Sequence, residues 1–141
     1  MSKTSDITLY IYTDGGARGN PGPAAIGVMI CDANGEPIRE HADTIGEATN
    51  NVAEYCALIA GLELAKLLNG TQLQISMDSE LVCRQVTGEY RIKSPELKKL
   101  YRVVKEQEIE FQSVHYKSVP RTHPAIQRVD KLLNRKLDEQ I

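Results

Sequence analysis

The sequence predicts an α/β fold, a five-stranded mixed sheet flanked by helices in the order βββαβααβα. Two observations carry this prediction. Residues up to about 45 read as three strands, the first with a period of two, and from Asn50 the period lengthens to that of a helix. Helical and strand periods then alternate, so the later strands are reached through helices and some pairs must run parallel.

Ile7, Leu9 and Ile11 alternate with Thr8, Tyr10 and Tyr12, a strand expected to end at Thr13-Asp14, where Gly15-Gly16 stops it. Residues 24 to 31 and roughly 37 to 45 are the next two strands, with Asn34-Gly35 as the hairpin turn. Tyr55, Leu58, Ile59 and Leu62 fall at i, i+3, i+4 and i+7, giving an amphipathic helix from Asn50 to near Asn69-Gly70. Leu73, Ile75 and Met77 restore the strand period up to Asp78, and Ser79 starts a short helix. Ser94-Pro95 opens another, with Leu97, Leu100, Tyr101 and Val104 on one face. Ile109 to Val119 is expected as a strand and Pro120 to Pro124 as a loop. A final helix turns Ile126, Val129, Leu133 and Leu137 inward. No repeat, linker or low-complexity segment interrupts this order, so residues 1 to 141 are expected to form a single domain.

With 41% hydrophobic residues, a chain of 141 residues can bury a core without disulfides or a structural metal. Cys31, Cys56 and Cys83 are odd in number, far apart and set in apolar segments, which suits reduced thiols in a cytoplasmic protein. The longest apolar stretch, Ala24 to Cys31, is too short for a bilayer, and no basic-then-apolar leader opens the chain, so a soluble, unprocessed protein is expected. A net charge of −2 lacks the strongly basic total of many nucleic-acid binders. The distribution differs: residues 1 to 83 carry 4 basic and 11 acidic groups, whereas residues 84 to 105 carry 7 and 2. That basic segment is either a solvated helix face or a binding surface.

Four acids bear on the chemistry. Asp14 and Asp78 each end a predicted strand, and if those strands are parallel neighbours both carboxylates emerge at one carboxyl edge, where open α/β sheets bind ligands. Glu54 lies one turn before Leu58 and Asp130 one turn from Ile126, so both should face that edge. Two unit charges about 4 Å apart repel by roughly 4 kcal/mol at an effective dielectric near 20, so such a cluster needs protons or cations. Magnesium suits it, being held commonly by carboxylates together with substrate phosphate. A pair of ions about 3.5–4 Å apart would support in-line displacement at phosphorus. Singly, Asp14 could shape a turn, Asp78 could cap a helix, and Glu54 and Asp130 could be solvated; their joint placement favours the site.

The run Thr13-Asp14-Gly15-Gly16-Ala17-Arg18-Gly19-Asn20-Pro21-Gly22, then Thr49-Asn50-Asn51 with Glu54, then Met77-Asp78-Ser79 and Val129-Asp130, closely resembles type 1 ribonuclease H over nearly the whole chain. The resemblance implies the ribonuclease H-like fold and metal-dependent cleavage of the RNA strand of RNA/DNA hybrids, leaving 5′-phosphate and 3′-hydroxyl ends. Asp14, Glu54, Asp78 and Asp130 match the family's metal-binding catalytic acids. Backbone groups around Gly15 and Gly16, with the side chains of Asn20, Asn50 and Glu54, can read the ribose 2′-hydroxyl, while Thr49 and Asn51 match strand contacts near a helix N-terminus. Capping and turn formation are the plainer roles for Thr49 and the asparagines. The implied partner is the hybrid, with no membrane, no organic cofactor and no obligate protein partner.

The chain departs from better-known bacterial members in two places. The route from Gln85 to Ser94 is too short for their extra basic helix, and Arg91, Lys93, Lys98, Lys99 and Arg102 are expected to form a smaller phosphate-binding substitute. Counting back from Asp130, Pro120 stands where many relatives carry a histidine and Ile126 where a polar amide is usual. His123 is expected as an exposed loop residue, and His41 and His115 as structural residues of strands. Two alternatives stay open: a hybrid-binding module with little activity, and a nuclease of this fold acting on another nucleic acid.

Overall fold

The computed structural model describes residues 6 to 140, so the expectation about a leader falls partly outside the described residues. The elements are β1 (Thr8–Ala17), β2 (Gly22–Cys31), β3 (Pro37–Ala48), α1 (Asn50–Leu67), β4 (Gln72–Met77), α2 (Glu80–Val86), α3 (Pro95–Glu108), β5 (Ser113–Ser118) and α4 (Pro124–Asp138). The five strands form one sheet in the order β3-β2-β1-β4-β5, antiparallel across β3, β2 and β1 and parallel across β1, β4 and β5. This is the mixed sheet the sequence predicts.

Three of the element ends that differ from expectation have a clear cause. Gly15 and Gly16 do not stop β1; they pair with Ile26 and Ala25 of β2. Glycine keeps its backbone donor and acceptor, and the buried Ala25 and Ile26 of β2 hold it in the ladder. The parallel ladder between β1 and β4 nevertheless stops at Tyr12 and Ser76, so Asp14 still lies at the carboxyl end of that pair. β3 runs on to Ala48 because Glu47 and Ala48 find partners in Pro23 and Gly22. β5 begins at Ser113 rather than Ile109, since the good helix formers Glu106, Gln107 and Glu108 extend α3 and a turn follows.

Successive residues of a strand face opposite sides, and here each side of β2 meets a different helix layer. Val28 and Ile30 join Leu9, Ile11, Leu58 and Leu62 in the main core beneath α1 and α3. Ala25, Met29 and Cys31 face the other way, against Leu133, Leu137 and Val129 of α4. β2 is therefore apolar almost throughout, as a strand covered on both faces must be. Gly27 sets how near α4 lies: a Cβ there would sit 2.7 Å from the carbonyl oxygen of Val129. The next residue is Asp130, so this contact fixes the height of the fourth acid.

Thr49, Ser79 and Ser94 cap α1, α2 and α3, their hydroxyls accepting the N–H of Val52, Val82 and Leu97. The segment joining α2 to α3, residues 87 to 94, contains no helix.

Candidate active site

The carboxyl edge of β1 and β4 gathers the acids. Asp14, from β1, is only 7% exposed, and one oxygen each of Asp14, Glu54 and Asp78 lie within 4.8 Å of one another. Asp130 completes the rim of a cavity of about 280 Å³ that these three acids share with Gly15, Gly16, Asn50 and Arg121. All four sequence-selected acids thus meet, although Asp130 is exposed and stands outside the tight group of three.

Asp78 and Glu54 are placed by the elements that carry them. Asp78 follows the last residue of β4, immediately before the Ser79 cap of α2. Glu54 lies on the second turn of α1, and its Oε1 accepts the N–H of Gly15 at 2.9 Å. That bond requires α1 to run against β1, and only glycine permits it, because a Cβ at Gly15 would sit 2.2 Å from the carbonyl oxygen of Ala53.

Crowding shows in the proton affinities. Burial, then the charges of Asp78 and Asp130, raise the Asp14 carboxyl from 3.8 to about 8, opposed by the Arg121 guanidinium. Burial, then the charges of Asp14 and Asp78, lift Glu54 well above the ordinary value, with the Gly15 N–H opposing. Asp78 Oδ1 is buried and has no hydrogen-bond partner. An orphaned carboxylate oxygen facing two proton-hungry carboxyls is what a hard, oxygen-seeking cation would satisfy, so the donor set fits a divalent metal.

The neighbouring predicted residues fall into two groups. Asn50 Oδ1 accepts the N–H of Ala17 at 2.9 Å, and Asn20 Oδ1 accepts the N–H of Asn50 at 3.0 Å. These bonds tie the β1–β2 turn to the start of α1, beside the cavity that Gly16 also lines. With both amide oxygens engaged, the side-chain NH2 groups are left to meet a ligand. Thr49 is occupied as the cap, and Asn51 follows in the first turn, partly buried.

Lys98 and Lys99 lie elsewhere, exposed on α3; Lys98 lines a separate depression with Tyr90, Ile92, Tyr101 and Arg102. Not all of the basic segment is available. Arg84 is paired with Glu80 and Glu89, and Lys105 with Glu108. Among the described residues Arg91, Lys93, Lys98, Lys99 and Arg102 form no ion pair.

Two loop residues differ from or add to the sequence reading. His123 is not a free loop side chain: it caps α4, its Nδ1 accepting the N–H of Ala125 at 3.1 Å, and its ring lies 5.5 Å from that of Tyr12. His41 and His115 are on strands and exposed. Arg121 was not singled out from the sequence, where a lone arginine in a polar loop looks like any solvated cation. Its Nε lies 3.4 Å from Asp78 Oδ2 and its side chain is 91% exposed, a solvated counter-ion at the mouth of the site.

Comparison with known proteins places this arrangement. A family model described as reverse transcriptase-like matches residues 12–134. The chain is 42% identical over 133 residues to the bifunctional protein Rv2228c of Mycobacterium tuberculosis, covering 94% of this chain but 36% of that protein, so it spans about a third of that relative's length. It is 31% identical over 154 residues to a ribonuclease H of Methylococcus capsulatus, covering 99% of this chain and 94% of that one. The solved structure of LC11-RNase H1 in complex with an RNA/DNA hybrid superposes with a TM-score of 0.88 at 41% identity, covering 94% of this chain and 98% of that one.

Proposed function

Since the chain belongs to the type 1 ribonuclease H family, we propose that it is a divalent-metal-dependent endonuclease that hydrolyses the RNA strand of RNA/DNA hybrids, leaving 5′-phosphate and 3′-hydroxyl ends. One observation carries the reading: three carboxylates converge within 4.8 Å, one of them with a buried, unpartnered oxygen. Asp14, Glu54 and Asp78 would hold the metal, with Asp130 completing a second position, and magnesium is the ion that suits all-oxygen ligands and a phosphate substrate. When bound, a pair of such ions supplies activation of the attacking water and stabilisation of the departing oxygen.

The protein's own groups do the selecting. Glu54 is anchored through the Gly15 N–H, which keeps its other oxygen available to the cavity. The NH2 groups of Asn20 and Asn50 are donors, and a ribose 2′-hydroxyl offers them an acceptor that deoxyribose lacks. Gly15 and Gly16 keep the backbone accessible there, and Thr49 and Asn51 present the start of α1 to a phosphate. The unpaired cations of α3, Lys98 and Lys99 foremost, hold the duplex backbone at a distance from the chemistry. Three free cysteines, buried or partly so, support a reducing cytoplasm as its location. Among the described residues no helix is long and apolar enough to cross a membrane.

The test is a substrate panel: labelled RNA/DNA hybrid, double-stranded RNA, and single-stranded and duplex DNA, with magnesium or manganese, beside Asp14→Asn. Metal-dependent cutting of the hybrid alone, lost in Asp14→Asn, is expected. Binding without cutting would make the protein a hybrid-binding module, and preferential cutting of another substrate would overturn the assignment.

A further inference from the structure

A cavity of about 580 Å³ lies between the C-terminal halves of α1 and α3 and plays no part in the chemistry above. It sits far from the acids: Leu67, in its wall, is 13 residues along α1 from Glu54, about 20 Å at 1.5 Å per residue. Leu62, Leu67 and Phe111 supply apolar lining, and Leu67 is 73% exposed, well beyond an ordinary core-edge leucine. Ile109, at the adjoining end of α3, is 82% exposed. The two most exposed large hydrophobic residues described thus flank this end of the molecule.

The rim is acidic. Glu63, Glu106 and Glu110 border the groove, and the one cation there, Lys66, is bound to Glu110 at 3.3 Å. Glu63 and Glu106 form no ion pair among the described residues. Gln107 Oε1, in the same wall, is shielded and lacks a donor. A nucleic acid would be repelled by such a rim, whereas a cationic side chain flanking an apolar one would satisfy both rim and floor.

From this charge complementarity we propose that the groove docks a basic amphipathic segment of a partner protein, apolar side chains against Leu67 and Phe111 and lysine or arginine against Glu63 and Glu106. Docking there leaves the metal site open to substrate, so the enzyme can be carried by a partner while it works. The segment would read as leucine-like anchors at helical spacing with cations beside them, a helix laid in a groove.

The probe is a fluorescein-labelled helical peptide of leucine and lysine, about 14 residues long, titrated with the whole protein and followed by anisotropy. A second peptide has glutamate in place of lysine. Saturable binding of the lysine peptide alone is expected, weakened at least about tenfold by Glu63→Lys with Glu106→Lys and by Leu67→Ser, with hybrid cleavage unchanged. All three substituted residues are exposed, and thermal melts of the variants verify folding. Absence of saturable binding, equal binding to the variants, or concentration-dependent dimerisation lost in Leu67→Ser, which would make the occupant a second copy, would each overturn the proposal.

Discussion

Asp14→Asn removes one carboxyl from a pocket that raises its proton affinity, and the effect on folding can be worked out in sign and size. Below about pH 4 both folded and unfolded chains hold the proton, and Asp14 contributes no pH dependence. Between 3.8 and about 8 the unfolded chain has released the proton and the folded protein retains it, so metal-free stability falls as pH rises. The slope is about 1.4 kcal/mol per pH unit, or roughly 3 kcal/mol between pH 5 and pH 7. Asparagine has nearly the same shape and never ionises, so Asp14→Asn should gain about that much on the wild type over the same interval. Above about pH 8 both states are ionised and the difference levels off. Urea denaturation at pH 5, 6 and 7 in chelator measures it. Magnesium at about a hundred times its dissociation constant should stabilise the wild type by about 2.7 kcal/mol and leave Asp14→Asn nearly unmoved. If the stability difference between the two proteins stayed within about 0.5 kcal/mol from pH 5 to pH 7, the account of a buried, proton-holding Asp14 would fail.

Other perturbations separate the roles of neighbouring groups. Arg121→Gln removes the counter-ion beside Asp78, so manganese should bind a few-fold more tightly by calorimetry; weaker binding would mean that Arg121 orders the site. His123→Ala deletes the α4 cap and should cost about 1 kcal/mol in urea denaturation while turnover falls less than tenfold; a tenfold loss at unchanged stability would make His123 catalytic. Reversing Lys98 and Lys99 to glutamate should weaken hybrid binding and reduce its salt slope by about 2, and an unchanged slope would remove α3 from the interface.

Much of this site is legible in the chain because its first parts are tied to strand period. Asp14 comes late in one alternating run and Asp78 directly after another, and parallel pairing of those runs brings both to one edge. Glu54 is legible from helical spacing, and the glycines that let α1 approach are conspicuous in the motif itself. The height of Asp130 is harder to read: it depends on Gly27 meeting Val129 across the sheet, a long-range contact that local pattern does not encode. For the same reason Gly15-Gly16 looks like a strand end until β2 supplies its ladder. The cap made by His123 is missed because histidine is an uncommon N-cap, and which cations of the basic segment are free depends on where Glu80, Glu89 and Glu108 fall.

The most direct test of the central claim is the anomalous scattering of a manganese-soaked crystal. An ion bound among Asp14, Glu54 and Asp78, with a second reached by Asp130, is the predicted result. Carboxylates standing apart at that edge, with no anomalous peak between the ends of β1 and β4, would contradict it.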